Sequence, residues 1–163
     1  MVRPILKSTI LLSCLSIMVA CNSTNRLTIK NKEKMFTVEQ IELAHDKVKS
    51  GADFPQFIQE IKQMGVKAFE TWVYDSHTQY FGKDGYQTKA QPPYENLTIA
   101  DSSNTEKFSH YLKIHQQGET DYPTFRKHCA ETGIEKWLVC LDEMTCTYLD
   151  KAGNKILVEQ IPQ

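Results

Sequence analysis

The sequence predicts an α+β fold, an internally duplicated helix–helix–strand-meander unit that forms one antiparallel sheet with helices on one face. The first observation is that residues 53–85 align without a gap with residues 121–153, and seven of the 33 aligned positions are identical. The second is that the apolar period changes from 3.6 to 2 within each unit. The third is length, because 163 residues with 40% hydrophobic content bury one core comfortably. The identical pairs are Asp53 and Asp121, Pro55 and Pro123, Phe57 and Phe125, Gly65 and Gly133, Tyr80 and Tyr148, Lys83 and Lys151, and Gly85 and Gly153.

The first unit, residues 36–100, opens with two helices. Thr37 and Gln40 form a capping box, and we expect the helix that follows to close at Gly51. Its apolar face carries Ile41, Ala44 and Val48. A second helix is expected from Asp53 to Gly65, since proline is tolerated in a first turn.

Alternating side chains then predict a strand from residue 68. One side carries Phe69, Thr71 and Val73, and the other carries Ala68, Glu70, Trp72 and Tyr74. We expect 79–81 to pair back, a hairpin at 82–85 to lead into 86–89, and a further short strand at 97–100.

The second unit, residues 104–160, repeats this order. Asn104 is expected to cap a helix to Gln117, and Asp121 to cap another that ends at Gly133. The expected inward residues are Phe108, Tyr111, Leu112, His115, Tyr122, Phe125, Cys129, Thr132, Trp137, Val139 and Leu141. Strands are expected at 134–141, 145–149 and 156–160.

The sheet face turned away from the helices is partly apolar. It is expected to carry Trp72, Tyr74, Leu138 and Cys140. Because no segment is left to cover it, we expect a ligand, a protein partner or a homodimer there. The alternative is that the sheet curls over itself, or that the loop at Pro92–Pro93 lies across it.

The first twenty residues have the pattern of a lipoprotein signal peptide. Arg3 and Lys7 precede an apolar run, and residues 18–21, Met-Val-Ala-Cys, resemble a bacterial lipobox. We therefore expect cleavage before Cys21, a lipid on its sulfur, and display at the cell envelope. Residues 21–35 would form a polar tether to a single domain spanning 36–161.

A second interpretation starts the protein at Met35. Residues 32–34, Lys-Glu-Lys, could be the translation of a purine-rich ribosome-binding site, and the product would then be cytoplasmic. The net charge of −1 and pI near 6.5 give no basic field, so we expect no nucleic-acid partner.

Five strings of residues in this chain resemble those of a known family. They are residues 35–41 (Met-Phe-Thr-Val-Glu-Gln-Ile), 47–55 (Lys-Val-Lys-Ser-Gly-Ala-Asp-Phe-Pro), 110–118 (His-Tyr-Leu-Lys-Ile-His-Gln-Gln-Gly), 121–122 (Asp-Tyr) and 131–137 (Glu-Thr-Gly-Ile-Glu-Lys-Trp). Together they resemble the YdfO/YbcV-like proteins of enterobacterial prophages. The resemblance covers nearly all of residues 35–161 and implies a small α+β domain of unknown function, sometimes labelled a phage envelope protein. The family pattern begins at the methionine that matches Met35, so the first 34 residues are an addition to it.

Motifs of the common catalytic and metal sites are absent from the sequence, and we expect no cofactor, metal or catalytic residue. His110 and His115 are five apart on a helix and cannot converge on one metal from the same face, so His115 is expected in the core or an interface. His128 and Cys129 point in different directions from a helix. We expect packing roles for Cys129 and the two other cysteines of the domain, Cys140 and Cys146.

One polar cluster offers an alternative. Asp75 and His77 lie in a turn, near Trp72, Tyr74 and Tyr80, where an acid–base site could form. The leading interpretation is a non-enzymatic binding or interaction domain. Its expected ligand or partner surface comprises Trp72, Tyr74, His77, Tyr80, Leu138 and Cys140. A phage structural component is a further alternative that rests on the family label.

Overall fold

A computed structural model describes residues 35–163 of the chain. The expected signal peptide, Cys21 and most of the polar tether lie outside the described residues. No helix within residues 35–163 is long and apolar enough to cross a membrane.

The described part of the chain is an α+β domain with four α-helices and a six-stranded antiparallel sheet, as predicted. The helices are α1 Val38–His45, α2 Phe54–Gln63, α3 Thr105–Gln116 and α4 Tyr122–Glu131, with 3-10 turns at Gly51–Asp53 and Lys83–Gly85. The strands are β1 Ala68–Trp72, β2 Thr78–Phe81, β3 Gln87–Ala90, β4 Lys136–Cys140, β5 Thr145–Leu149 and β6 Lys155–Gln160. The strand order is β3-β2-β1-β4-β5-β6, so the two meanders join through β1 and β4.

The helix starts follow the expected capping chemistry. Thr37 and Gln40 form both bonds of the capping box on α1. The side chain of Asn104 accepts from Lys107 N on α3, and that of Asp121 accepts from Thr124 N on α4. Each of these bonds satisfies a backbone N–H that the first turn of a helix leaves without a partner.

The end predicted for the first helix is wrong. α1 ends at His45, and Gly51 opens a 3-10 turn instead of closing the helix. The reason is packing, because a Cβ on Gly51 would lie 2.6 Å from the backbone oxygen of His115. Glycine lets residues 48–51 approach the end of α3 that closely.

The core lies between the helices and one side of the sheet. Phe69 and Thr71 of β1, and Trp137 and Val139 of β4, are buried on this inner face. Their neighbours along each strand are only partly buried on the opposite side, which we call the outer face. Burial of each large inner side chain contributes about 1.5–3 kcal/mol to folding.

The β1–β2 pair of the first half and the β4–β5 pair of the second half share one hydrogen-bonding register. Ala68 pairs with Phe81 in the first half, and Lys136 pairs with Leu149 in the second, each number being 68 higher. Across the central seam, Val73 N donates to Glu135 O at 2.8 Å and Leu141 N donates to Lys67 O at 2.9 Å, again at positions 68 apart.

The match extends to local backbone conformation. Ser76 and Met144, which are 68 residues apart, both have positive φ, at 63° and 53°, and both are buried. The halves therefore agree in geometry, and their origin from one copied unit stays a prediction.

The strand predicted at 97–100 is wrong, because this segment bonds elsewhere. Leu97 N donates to Tyr74 O, and Ala100 N donates to Ala130 O at the end of α4. The Tyr94 ring, beside the Pro92–Pro93 loop, lies 5.6 Å from the Tyr122 ring of α4. The 91–104 connection thus contacts α4 and the end of β1, and Gln91 also donates to Asp75 in the turn after β1.

Candidate functional site

The residues predicted to form a ligand or partner surface divide between the two faces of the sheet. Trp72, Leu138 and Cys140 are partly exposed on the outer face, and Tyr74, 50% exposed, follows β1. Tyr80 lies on the inner face and is only 7% exposed. Tyr80 pairs with Phe69, and residues directly opposite in an antiparallel pair share a face, so placing it beside Trp72 was wrong.

His77 forms a local cluster on the outer side. Its ring stacks on Trp72 with centroids 4.3 Å apart, and its Nδ1 lies 2.6 Å from Asp75 Oδ1. Burial raises the pKa of Asp75, but hydrogen bonds from His77 and Gln91 outweigh that effect and leave the pKa below its ordinary value. The Lys136 ammonium lies 4.9 Å from the Trp72 ring centroid and 3.0 Å from Glu70 Oε2. The cluster is therefore tied together by stacking, hydrogen bonds and an ion pair.

A cavity of about 140 Å³ lies between the helices and the inner face. Half of its lining residues have aromatic side chains, and we call it the aromatic cavity. The aromatic lining consists of Phe54, Phe57, Phe69, Tyr80, Tyr122, Phe125, Trp137 and Tyr148, with His45 and His115.

Both halves of the chain contribute matching walls to this cavity. Phe69 and Tyr80 line it from the first half, with ring centroids 5.5 Å apart. Trp137 and Tyr148 occupy the positions 68 residues later, with centroids 6.4 Å apart. The helices add Phe57 and Phe125, another pair separated by 68 residues, and each is 5% exposed.

The one carboxylate of the lining and its two hydrogen-bond donors all belong to the second half of the chain. Glu159 Oε1 accepts a hydrogen bond from Tyr148 OH at 3.0 Å, and Oε2 accepts one from Gln116 Nε2 at 2.7 Å. Burial raises the pKa of Glu159 above its ordinary value. Burial also raises the pKa of Tyr148, which remains a neutral hydrogen-bond donor. We call Glu159, Tyr148 and Gln116 the Glu159 corner.

Neutral hydroxyl groups complete the polar lining. Thr71 and Thr78 are buried and their hydroxyl oxygens lie 2.9 Å apart. Tyr122 OH lies 2.5 Å from Ser76 Oγ, and burial raises the pKa of Tyr122 to about 12. These groups offer hydrogen bonds without charge at neutral pH.

His115 closes one side of the cavity beside Gly51. Its ring stacks on Phe125 at 4.2 Å, and Nδ1 lies 3.0 Å from the Thr120 hydroxyl. Burial lowers the pKa of His115, so the ring is neutral at pH 7. The predicted core position of this histidine is confirmed.

The other reactive side chains considered in the sequence have packing roles. His128 stacks on Tyr111 with centroids 3.7 Å apart. Cys129 and Cys146 are fully buried, and burial raises the pKa of both thiols, so neither is a ready nucleophile. Within residues 35–163, no group of three His, Cys, Asp or Glu side chains is placed to hold a metal ion.

Sequence reasoning missed Glu159 as a site residue. The β5–β6 pairing changes register between Tyr148 and Leu149, which moves β6 by one residue relative to β3. Glu159 consequently pairs with Cys146, whereas Ala90 pairs with Thr78 at the corresponding place in the first half. The gapless alignment of residues 53–85 with 121–153 gives no sign of this register shift.

Comparison with known proteins gives a family but no activity. No curated protein matches the chain. A family profile described as "Protein of unknown function (DUF1398)" matches residues 42–160. This range includes β1, β2, β4, β5, α2 and α4, which supply the matching aromatic walls of the cavity. The chain therefore belongs to the DUF1398 family of proteins of unknown function.

Proposed function

We propose that this domain binds a small molecule in the aromatic cavity and does not transform it. The observation that carries the proposal is a cavity of about 140 Å³ lined by eight Phe, Tyr and Trp side chains. An apolar cavity of about 150 Å³ in another protein holds benzene, so the space suits a ligand with one small ring.

The thiol and phenol groups of the lining are not ready nucleophiles, which supports binding over covalent catalysis. The buried thiol of Cys146 and the hydroxyls of Tyr80 and Tyr148 have raised pKa values and stay protonated at neutral pH. A thiol or a phenol has to be ionised to act as a nucleophile or as a base. The enzyme alternative rests on the 2.6 Å contact between His77 Nδ1 and Asp75 Oδ1. If a His77→Gln variant retained whatever activity the wild type shows, an acid–base role for His77 would be ruled out.

Two leucine substitutions test the cavity. Cys146 lines it, whereas Cys140 lies on the outer face, so Cys146→Leu fills the space and Cys140→Leu is the matched control. We expect single-ring compounds to raise the melting temperature of the wild type and of Cys140→Leu in a saturable way, and to leave that of Cys146→Leu unchanged. Equal responses of all three proteins would refute binding in the cavity.

Display at the cell envelope is the second part of the proposal. It is supported by the basic start, the apolar run and the Ala-Cys junction at Cys21 in the sequence. Mass spectrometry of the protein isolated from its own cells tests it. A diacylated Cys21 is the expected result, and a mature protein that starts at Met35 would contradict it.

Kinship with prophage proteins of the YdfO/YbcV type is proposed from the strings around residues 35–55 and 110–137. Phage genes flanking the coding region are expected. Copurification with phage particles would instead favour the structural-component alternative.

A protein partner or second copy on the outer face remains a proposal supported by the partly exposed Trp72 and Leu138. We expect Leu138→Glu to fold and to reduce self-association in sedimentation velocity. If the sedimentation coefficients of the wild type and of Leu138→Glu did not change across a wide concentration range, a homodimer would be ruled out.

A further inference from the structure

The aromatic cavity has one carboxylate in its lining, Glu159, which accepts hydrogen bonds from a buried tyrosine and an exposed glutamine. Tyr148 and Gln116 each donate one bond to Glu159. An ionised carboxylate has about four acceptor sites, so these bonds leave capacity for further donors. No ion pair within residues 35–163 joins Glu159 to a lysine, arginine or histidine.

Three basic residues also line the cavity. Lys49, in the segment before Gly51, is exposed. Burial lowers the pKa of His115 and that of His45, so both rings are neutral at pH 7. Glu159 is therefore the acidic hydrogen-bond acceptor that the lining offers to a ligand, and an ammonium group beside it would stabilise its ionised form.

The aromatic walls suit the same kind of ligand. The faces of Trp, Tyr and Phe rings attract cations, and the attraction is stronger where water is excluded. Trp137 and Tyr148, both nearly fully buried, line the cavity together with Glu159. Rings and carboxylate thus complement an ammonium group attached to an apolar body.

We propose that the ligand is a compact organic amine, with its ammonium group hydrogen-bonded to Glu159 and its apolar body between the aromatic rings. The inference rests on the proposed function and specifies the ligand class of the same cavity. The volume limits the apolar part to about one six-membered ring.

Three probes of one shape test the charge preference: benzylamine, benzyl alcohol and benzoate. Titration calorimetry of the full chain at pH 7 is expected to give about tenfold tighter binding of benzylamine than of benzyl alcohol, with benzoate weakest. Glu159→Gln keeps the size of the side chain and removes its charge. This variant is expected to bind benzylamine about tenfold more weakly and benzyl alcohol about as well as the wild type does.

The outcomes separate the two proposals. Equal affinities for benzylamine and benzyl alcohol in the wild type, or tightest binding of benzoate, would overturn the amine assignment and leave small-molecule binding in place. Absence of binding by all three probes would overturn both. If Glu159→Gln does not fold, the order of the three affinities in the wild type still decides the ligand class.

Discussion

Replacing Arg126 with isoleucine should destabilise the domain by about 2–3 kcal/mol. Arg126 is only 3% exposed on α4, and Ile58 occupies the position 68 residues earlier. The Nη2 atom of Arg126 lies 2.9–3.1 Å from the carbonyl oxygens of Val73, Tyr74 and Glu95. One buried guanidinium therefore joins α4, the end of β1 and the 91–104 connection.

The magnitude follows from the number of hydrogens available. One Nη2 group has two hydrogens, so its three carbonyl contacts amount to about two full hydrogen bonds at a time. Hydrogen bonds to charged groups are worth about 1.5–3 kcal/mol each, or about 3–6 kcal/mol together. Relief of the desolvation penalty of the buried charge offsets part of this loss. About 2–3 kcal/mol of the loss then remains, with a fall in melting temperature of about 4 °C per kcal/mol.

Thermal unfolding followed by circular dichroism measures the change. Lys127→Ala, an exposed neighbour on the same helix, is the control and should stay within about 0.5 kcal/mol of the wild type. Hydrogen exchange gives a local readout, since the Leu97 amide bonded to Tyr74 O should exchange faster in Arg126→Ile. An unchanged or raised melting temperature would refute the reasoning and show that desolvation of the charge outweighs its hydrogen bonds.

Three further predictions address the caps, the carboxylate and the thiols. Thr37→Ala removes the capping box of α1 and should cost about 0.5–2 kcal/mol in urea unfolding. Burial raises the pKa of Glu159, so the folded state favours its protonated form, and stability falls as pH rises from 4.5 through the raised pKa. Glu159→Gln should remove that fall, and a constant difference in unfolding free energy between the two proteins from pH 4 to 8 would contradict it. Iodoacetamide should label Cys140 before Cys129 and Cys146, as located by peptide mass spectrometry, because Cys140 is the partly exposed one of these three.

Much of the fold was predictable because local signals and core packing agree. The capping groups of Thr37, Asn104 and Asp121 start three helices where the sequence indicates. The alternation around Phe69 and Trp137 assigns the inner and outer faces of β1 and β4 correctly. A capping side chain bonds to the backbone a few residues away, and the side chains of a strand alternate with a period of two. Both patterns can be read directly from the sequence.

The errors arose where a distant contact decides the local structure. Gly51 was expected to end a helix, but its close approach to His115 places it in a separate turn. The 97–100 segment has the composition of a strand, yet its amides bond to Tyr74 and Ala130. Tyr80 was grouped with Trp72 through sequence proximity, although its pairing with Phe69 directs it to the other face.

Two of the polar differences between the halves lie in the cavity lining, and they bear on how a ligand would lie there. The matching aromatic pairs offer two nearly equivalent orientations to a small ring. Glu159 removes that equivalence, because the corresponding place in the first half holds Ala90. Cys146 in place of Thr78 adds a second difference on the adjoining strand. A ligand with one cationic end would therefore bind in a single orientation, and the symmetric walls would supply affinity while the Glu159 corner supplies direction.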